Sequence, residues 1–331
     1  MPPEVSVILT ETDFLEPVRA EMDSFEQRLH ATVQADLGPV SEAMEHILDA
    51  GGKRLRPALV LLAAKLGDRT RLEDVFRAAM AIEFIHNATL IHDDLIDGAP
   101  MRRGLRTIHE SLGPNPAIII GDYYFAKGAN LMSEVGEPVI DVVLSQTVMA
   151  ICYGEMLQLT SQRRYEQSLE DYYSKIERKT AVLLAASTFC GAFLSGQPER
   201  EVQALREFGR LLGMAFQIAD DVLDFVATEE EVGKPVGNDL KQGTVTLPLM
   251  LALKDPGVDG KLERILQKPQ LSDADYAEVV LIVRGSQGID ASLEHASRFS
   301  ERARAELQVF APSPAREALE ELTRFVVRRK N

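Results

Sequence analysis

Two short stretches, "HDDLID" (92–97) and "ADDVLD" (219–224), place three aspartates each at the same spacing. On a helix, residues four apart share a face. Asp93 and Asp97 therefore point one way, as do Asp220 and Asp224, while Asp94 and Asp221 stand about 100° round from their neighbours. Like charges at that spacing destabilise a helix by roughly 0.2–0.5 kcal/mol. The first set also closes its helix, where the macrodipole disfavours anions. The residues before each set, "FIHNATLI" and "MAFQIA", are largely apolar. Aspartates that end such buried helices line a cavity. Hard divalent cations want carboxylate oxygens, and Mg²⁺ takes one or two carboxylates, several waters and substrate phosphates. Two aspartate-rich helix ends facing each other could hold a small cluster of Mg²⁺ ions, which would clamp a diphosphate and stabilise it as a leaving group.

The basic residues fit the same chemistry. "GGKRLRP" (51–57) sets Lys53, Arg54 and Arg56 just before a helix, where cations are disfavoured and a bound anion is favoured. Arg102 and Arg103 follow the first aspartate set in a loop flanked by Gly and Pro. Lys179 lies at the polar-to-apolar boundary of "ERKTAVLL" (177–184). Lys234 and Lys241 follow the second aspartate set. Basic residues thus stand beside every aspartate site in a chain whose formal charge is −15. That overall charge argues against nucleic-acid binding, which rests on Lys and Arg neutralising phosphates. An anionic ligand must be drawn by local basic clusters or by bound cations.

The elements that position these residues are helical nearly everywhere. Long runs with three-to-four periodicity cover 15–37, 56–67, 72–97, 121–136, 139–162, 169–189, 201–226, 273–288, 289–307 and 313–330. In the 56–67 run Pro57 suits a helix start and Gly67 a helix end. Ser313, Pro314 and Glu317 suit N-cap, N1 and a position near N3 of the last helix. "PAIII" (116–120) is short, β-branched and isolated, and no Asn-Gly hairpin signal occurs. The reading is all-α, in one domain without a linker. The most apolar stretch, "AVLLAASTFCGAFLSG" (181–196), is too short to span a bilayer and reads as a buried core helix. Two cysteines in unrelated contexts, Cys152 and Cys190, suggest neither a disulfide framework nor a zinc site. They fit a reducing, cytoplasmic setting.

Taken in order, "GGKRLRP", "FIHNATLIHDDLID", "MRRG", "KT", "FQIADDVLD" and "GKPVGND" resemble the motif set of the trans-isoprenyl diphosphate synthases, the polyprenyl synthetase family, over nearly the whole chain. The resemblance implies an all-α isoprenoid synthase fold, helices surrounding a central cavity. It implies one polyprenyl synthetase domain over 1–331, with 1–12 poorly ordered, in a cytoplasmic homodimer without a stable membrane span. The implied reaction is the 1′-4 condensation of isopentenyl diphosphate onto an allylic diphosphate, with about three Mg²⁺ ions per active site. By matching motifs, Asp93, Asp97 and Asp220 would be the main metal ligands, with Asp94, Asp221 and Asp224 acting directly or through water. Lys53, Arg56, His86 and Arg103 would hold isopentenyl diphosphate. Arg102, Lys179, Thr180, Gln217, Lys234 and Lys241 would hold the allylic diphosphate. One departure concerns Lys241: some family members carry a lysine five residues after the aspartate of "GND", and here that position is Thr244.

A growing hydrocarbon needs room. Thr89 and Ala88 lie four and five residues before Asp93, about one helical turn below the metal sites. In the family an aromatic residue there blocks the tunnel and gives a short product. Small residues imply a continuing tunnel and a long product of about C35–C50, with octaprenyl the central expectation. Phe84, Ile85 and "VMAICYGEM" (148–156) are candidates for a deeper floor. Two rival readings are weaker. A terpene cyclase would need no isopentenyl diphosphate site, and a noncatalytic subunit of a heteromeric synthase would not keep both aspartate sets.

Overall fold

Helical periodicity sets the order of elements, as the sequence predicts. In the computed structural model, residues 14–35, 38, 43–45, 47–48, 52, 54–68, 71–226, 237–258 and 260–328 are described. Lys53, Lys234 and the 1–12 segment lie outside the described residues. The helices are α1 (Arg19–Gln34), α2 (Leu55–Ala64), α3 (Leu72–Ile96), α4 (Ile108–Leu112), α5 (Pro114–Val135), α6 (Pro138–Thr160), α7 (Leu169–Ile176) and α8 (Val182–Leu194). They continue as α9 (Glu199–Val226), α10 (Asn238–Lys241), α11 (Leu247–Ala252), α12 (Lys261–Leu266), α13 (Asp273–Gly285), α14 (Gly288–Glu306) and α15 (Pro314–Arg328). A π-turn, Glu177–Ala181, joins α7 to α8. The fold is the all-α isoprenoid synthase fold.

Helix α3 packs along α5, α2 against α8, and α9 against both α8 and α14. Two apolar clusters result. The larger draws on α1–α3, α5, α6, α8 and α15, and the smaller on α7 and α11–α14. Helix α9 serves both: Leu205, Phe208 and Leu212 enter the first, and Met214, Ile218 and Phe225 the second. The long central helix therefore fixes where the second aspartate set stands relative to the first. The "AVLLAASTFCGAFLSG" stretch forms the end of the π-turn and α8 and is buried, as expected.

Several local readings change. Helix α2 starts at Leu55, so Pro57 is its third residue, still within the first turn where N–H groups have no intrahelical partner. Its C-cap is Lys65, two residues before Gly67. "PAIII" lies inside α5 because helical packing against α3 overrides β-propensity. Ser313 does cap α15, accepting from the Arg316 N–H at 3.2 Å, which makes Arg316 the N3 residue and Glu317 the next. A two-residue antiparallel ribbon pairs β1 (Met101–Arg102) with β2 (Leu105–Arg106). Its turn residues, Arg103 and Gly104, both have positive φ, +50° and +80°, the pattern of a type I′ turn without the Asn-Gly signal.

Helix α6 departs from the sequence reading most. By length and composition it is apolar enough to cross a membrane, yet only 33% of its apolar window is buried. Val142, Met149, Tyr153 and Met156 form one exposed stripe, Met149 at 71%. Ile118 and Ile119 on α5 are exposed as well.

Candidate active site

The first aspartate set closes α3. Asp97 is the C-cap and Gly98 follows with φ +61°. The Gly98 N–H donates to the Leu95 carbonyl at 3.3 Å and the Ala99 N–H to the Asp94 carbonyl at 2.9 Å. This pair of bonds is a Schellman closure, which needs a left-handed residue after the helix and so favours glycine. It reverses the chain and returns β1 to the helix end. Arg102 consequently reaches back over Asp94. Its Nε lies 2.7 and 2.8 Å from the two Asp94 oxygens, and a terminal nitrogen 2.7 Å from Oδ1. Asp94 is buried and both its oxygens are engaged. The structure therefore turns Asp94 toward Arg102. Among the described residues, the carboxylates of Asp93 and Asp97 accept no hydrogen bond.

The π-turn stands between the two aspartate sets. The Val182 N–H donates to the Glu177 carbonyl, five residues back, which widens the helix there. Two glycines let its neighbours close on it. A Cβ on Gly154 of α6 would lie 2.8 Å from the Lys179 backbone N, and one on Gly213 of α9 would lie 2.5 Å from the Ala181 Cα. So held, the turn presents Lys179 to one side and Thr180 to the other. Lys179 Nζ is 2.6 Å from Glu155 Oε1 on α6. Burial alone would lower the Lys179 ammonium, but Asp93, Glu155 and Asp97 outweigh it and hold it above its ordinary range. Burial pushes the Asp93 carboxyl well above the ordinary carboxylate range; Lys179 opposes this, and Glu155 and Asp97 add to it. Thr180 Oγ1 donates to Gln217 Oε1 at 2.6 Å, and Gln217 Nε2 donates to Asp221 Oδ1 at 2.9 Å. One backbone turn thus touches both aspartate helices.

The second set closes α9. Asp221 is buried, and Tyr172 Oη donates to its Oδ2 at 2.6 Å. Asp224 accepts the Asn238 and Asp239 N–H groups at 3.1 and 3.2 Å, so it seats the short helix α10. Burial raises Asp221 and Asp224, and the charge of Asp239 raises both further. Asp220 is half-buried and its charge is felt at Arg56, across the site on α2.

The basic residues divide. Arg54, left-handed at φ +45°, pairs at 2.7 Å with Glu26 and with buried Glu83, so it is a structural ion pair. Arg56, His86 and Arg103 share one region. Burial pushes Arg56 down to about 10, Arg103 adding to the fall and Glu83 and Asp220 opposing it. The buried Arg56 Nε has no hydrogen-bond partner among the described residues. Burial, then Arg56, Arg103 and Arg102, push the His86 imidazole well below its usual range. Burial and then Arg102 lower Arg103 as well. Cations that repel each other beside an unsatisfied donor describe a site for an anion. Lys241, by contrast, is exposed at the end of α10 and its side chain makes no polar contact among the described residues, while Thr244 is buried with its N–H on the Asp239 carbonyl.

Do these residues fit Mg²⁺? Among the described residues no three His, Cys, Asp or Glu side chains converge into a closed metal cage. The donors offered are carboxylate oxygens alone, with the Asp93 and Asp97 oxygens unclaimed. That set suits a hard cation which keeps waters and completes its shell with phosphate. Below the site, Ala88 is fully buried and Thr89 half-buried, its hydroxyl donating to the His86 carbonyl at 2.7 Å. Three residues at the site escape sequence reasoning: Glu155, Tyr172 and Lys175. Their partners lie 24 residues or more away in the chain. For Lys175 a signal existed, a lysine between Tyr172 and Ile176 on an otherwise buried helical face.

Comparison with known proteins accords with this arrangement. The family model described as "Polyprenyl synthetase" matches residues 39–283. Heptaprenyl diphosphate synthase component 2 of Geobacillus stearothermophilus is 40% identical over 309 residues, 93% of this chain and 96% of that protein. Nonaprenyl diphosphate synthase of Mycobacterium tuberculosis is 32% identical, over 98% of this chain and 96% of its own length. The crystal structure of polyprenyl synthase from Caulobacter crescentus, complexed with calcium and isoprenyl diphosphate, superposes with a TM-score of 0.90. Its identity is 35%, and the match covers 96% of this chain and 97% of that one. With the family model spanning most of its length and the aspartate helices, π-turn and basic cluster in place, this chain belongs to the polyprenyl synthetase family, whose members are prenyltransferases.

Proposed function

We propose that the chain condenses isopentenyl diphosphate onto an allylic diphosphate, repeatedly, to give a long trans-polyprenyl diphosphate of about C35–C50. The observation that carries this reading is the π-turn network, in which Lys179 faces Asp93 and Thr180 reaches Asp221 through Gln217. It joins the two carboxylate sets through one backbone turn. Asp93, Asp97 and Asp220 would hold the Mg²⁺ ions, about three in number, and Asp221 and Asp224 would act through water or through the donors they orient. Bound there, Mg²⁺ supplies positive charge to the diphosphate leaving group. Arg102, aimed by Asp94, and Lys179, aimed by Glu155, take up the same charge from the protein side. Arg56, His86 and Arg103 hold the second diphosphate; His86, kept neutral by burial and then by its basic neighbours, does so as a hydrogen-bond donor. Lys53 and Lys234 join these sets by motif. The small Ala88 and Thr89 support a long product, as do the names of the heptaprenyl and nonaprenyl relatives.

The apolar stripe on α6 supports a dimer of two copies. That α9 enters both core clusters supports one domain. Free Cys152 and Cys190 fit a cytoplasmic setting. A second reading, the catalytic subunit of a two-component synthase, draws on the name of the Geobacillus relative. The test is to incubate the purified chain with farnesyl diphosphate, isopentenyl diphosphate and Mg²⁺, then chromatograph the dephosphorylated products. Long linear products support the first reading. Turnover only with a second polypeptide supports the other, and cyclic hydrocarbons would sink both.

A further inference from the structure

Lys175 is a buried ammonium, 4% exposed, for which the reading above has no use. It lies on α7 one turn after Tyr172, and its Nζ donates to the Val245 carbonyl at 3.2 Å. The same Nζ lies 5.8 Å from the Tyr172 ring centroid. It makes no direct ion pair among the described residues. Removing an ammonium from water carries a penalty that a methionine of similar length would avoid. The surroundings show what the charge offsets. Asp221 is 3% exposed and accepts from Tyr172, while Asp224 accepts the Asp239 N–H and the Thr244 N–H donates to the Asp239 carbonyl, so the three carboxylates share the end of α9; burial and then the charge of Asp239 raise both Asp221 and Asp224. Lys175 feels Asp221 and Asp239 as attractive charges, and Asp221 feels Lys175 in return. Its hydrogen bond also ties α7 to the segment that follows α10, beside Thr244.

We propose that Lys175 is a positioning residue, a resident cation that offsets the shared charge of Asp221, Asp224 and Asp239 while no metal and diphosphate are bound, and so keeps the 237–246 segment seated on the end of α9. The inference rests on the assignment of the second aspartate set to a metal–diphosphate complex. Lys175 itself touches neither. When the ions arrive they supply the charge that Lys175 supplied before, so its contribution belongs to the metal-free protein. A lysine that merely fills space would contribute equally in both states.

The experiment is a thermal-melting cycle on the full chain: wild type, Lys175→Met, Asp239→Asn and the double variant. Each is measured in EDTA and again with Mg²⁺ plus inorganic diphosphate. Lys175→Met should lower the metal-free midpoint by about 5 °C. Mg²⁺ and diphosphate should then raise that midpoint by more than they raise the wild type. Asp239→Asn placed in the Lys175→Met background should restore most of the loss, because one of the uncompensated carboxylates is gone. An equal loss with and without Mg²⁺ and diphosphate, or a double variant no better than Lys175→Met, overturns the inference. If Lys175→Met yields no folded protein, recovery of a folded double variant supports it and failure to recover one overturns it. A wild-type midpoint indifferent to Mg²⁺ and diphosphate overturns the underlying site assignment instead, and shows this before any Lys175 variant is compared.

Discussion

Gly213→Ala is the sharpest perturbation of the π-turn. A Cβ at residue 213 would lie 2.5 Å from the Ala181 Cα and 2.8 Å from its Cβ. Carbon atoms settle at about 3.5–4.0 Å, so α9 and the turn must part by about 1 Å. Overpacking of this kind destabilises a fold by about 1–3 kcal/mol. The larger effect falls on the chemistry, because Lys179 and Thr180 ride on the displaced backbone. A misplacement of about 1 Å costs on the order of 10²-fold in rate. The assay is kcat at saturating substrates and Mg²⁺, with a thermal melt of the same preparation. Gly191→Ala is the control. Its Cβ would fall on the Val60 carbonyl oxygen, a comparable clash between α8 and α2 away from the turn. Gly213→Ala should lose both stability and kcat, Gly191→Ala mainly stability. If Gly213→Ala melts early yet keeps a kcat like that of the control, the turn does not position the reacting groups.

Thr89→Phe should shorten the product, and with less loss of stability than Ala88→Phe, since Thr89 is half-buried and Ala88 fully buried; unchanged chain length on chromatography would refute the tunnel. Arg54→Met leaves Glu83 buried without its partner at 2.7 Å, and should destabilise the fold by about 3–5 kcal/mol in denaturant titration. Burial, first among the causes, raises Asp93, Asp221 and Asp224, so the folded chain keeps protons there that the unfolded chain has lost. In EDTA these groups then subtract stability as pH rises above about 4, whereas bound Mg²⁺ removes the penalty. The gap between melting temperatures in Mg²⁺ and in EDTA should therefore widen with pH; a constant gap would contradict the reading.

Periodicity and charge made much of this legible in the sequence. Paired aspartates at the ends of apolar helical runs could be read because their meaning is local: four residues on a helix fix which side chains stack. The all-helical fold followed from the same period. What stayed hidden was set by contacts across elements. Nothing in "GGKRLRP" says that Arg54 is claimed by Glu26 and Glu83 while Arg56 is left facing the site. Helical spacing sets Asp94 apart from Asp93 and Asp97, but it does not say that the chain reversal at Gly98 brings Arg102 back onto Asp94. Tyr172 and Asp221 are 49 residues apart in sequence and meet only because α7 packs beside α9. The most apolar stretch drew attention to α8, whereas the exposed stripe lies on α6, where polar residues alternate and dilute the signal.

The π-turn also sets helical phase. On an uninterrupted α-helix Lys175 and Lys179, four residues apart, would stack on one face and point the same way. The widened turn delays everything after it by up to about one residue, or about 100°. Lys175 is thereby left to face Asp221 and Asp239, while Lys179 turns to Asp93 and Glu155. A single continuous helical path addresses two carboxylate sets on two other helices, and the length of that one turn is the gear ratio between them.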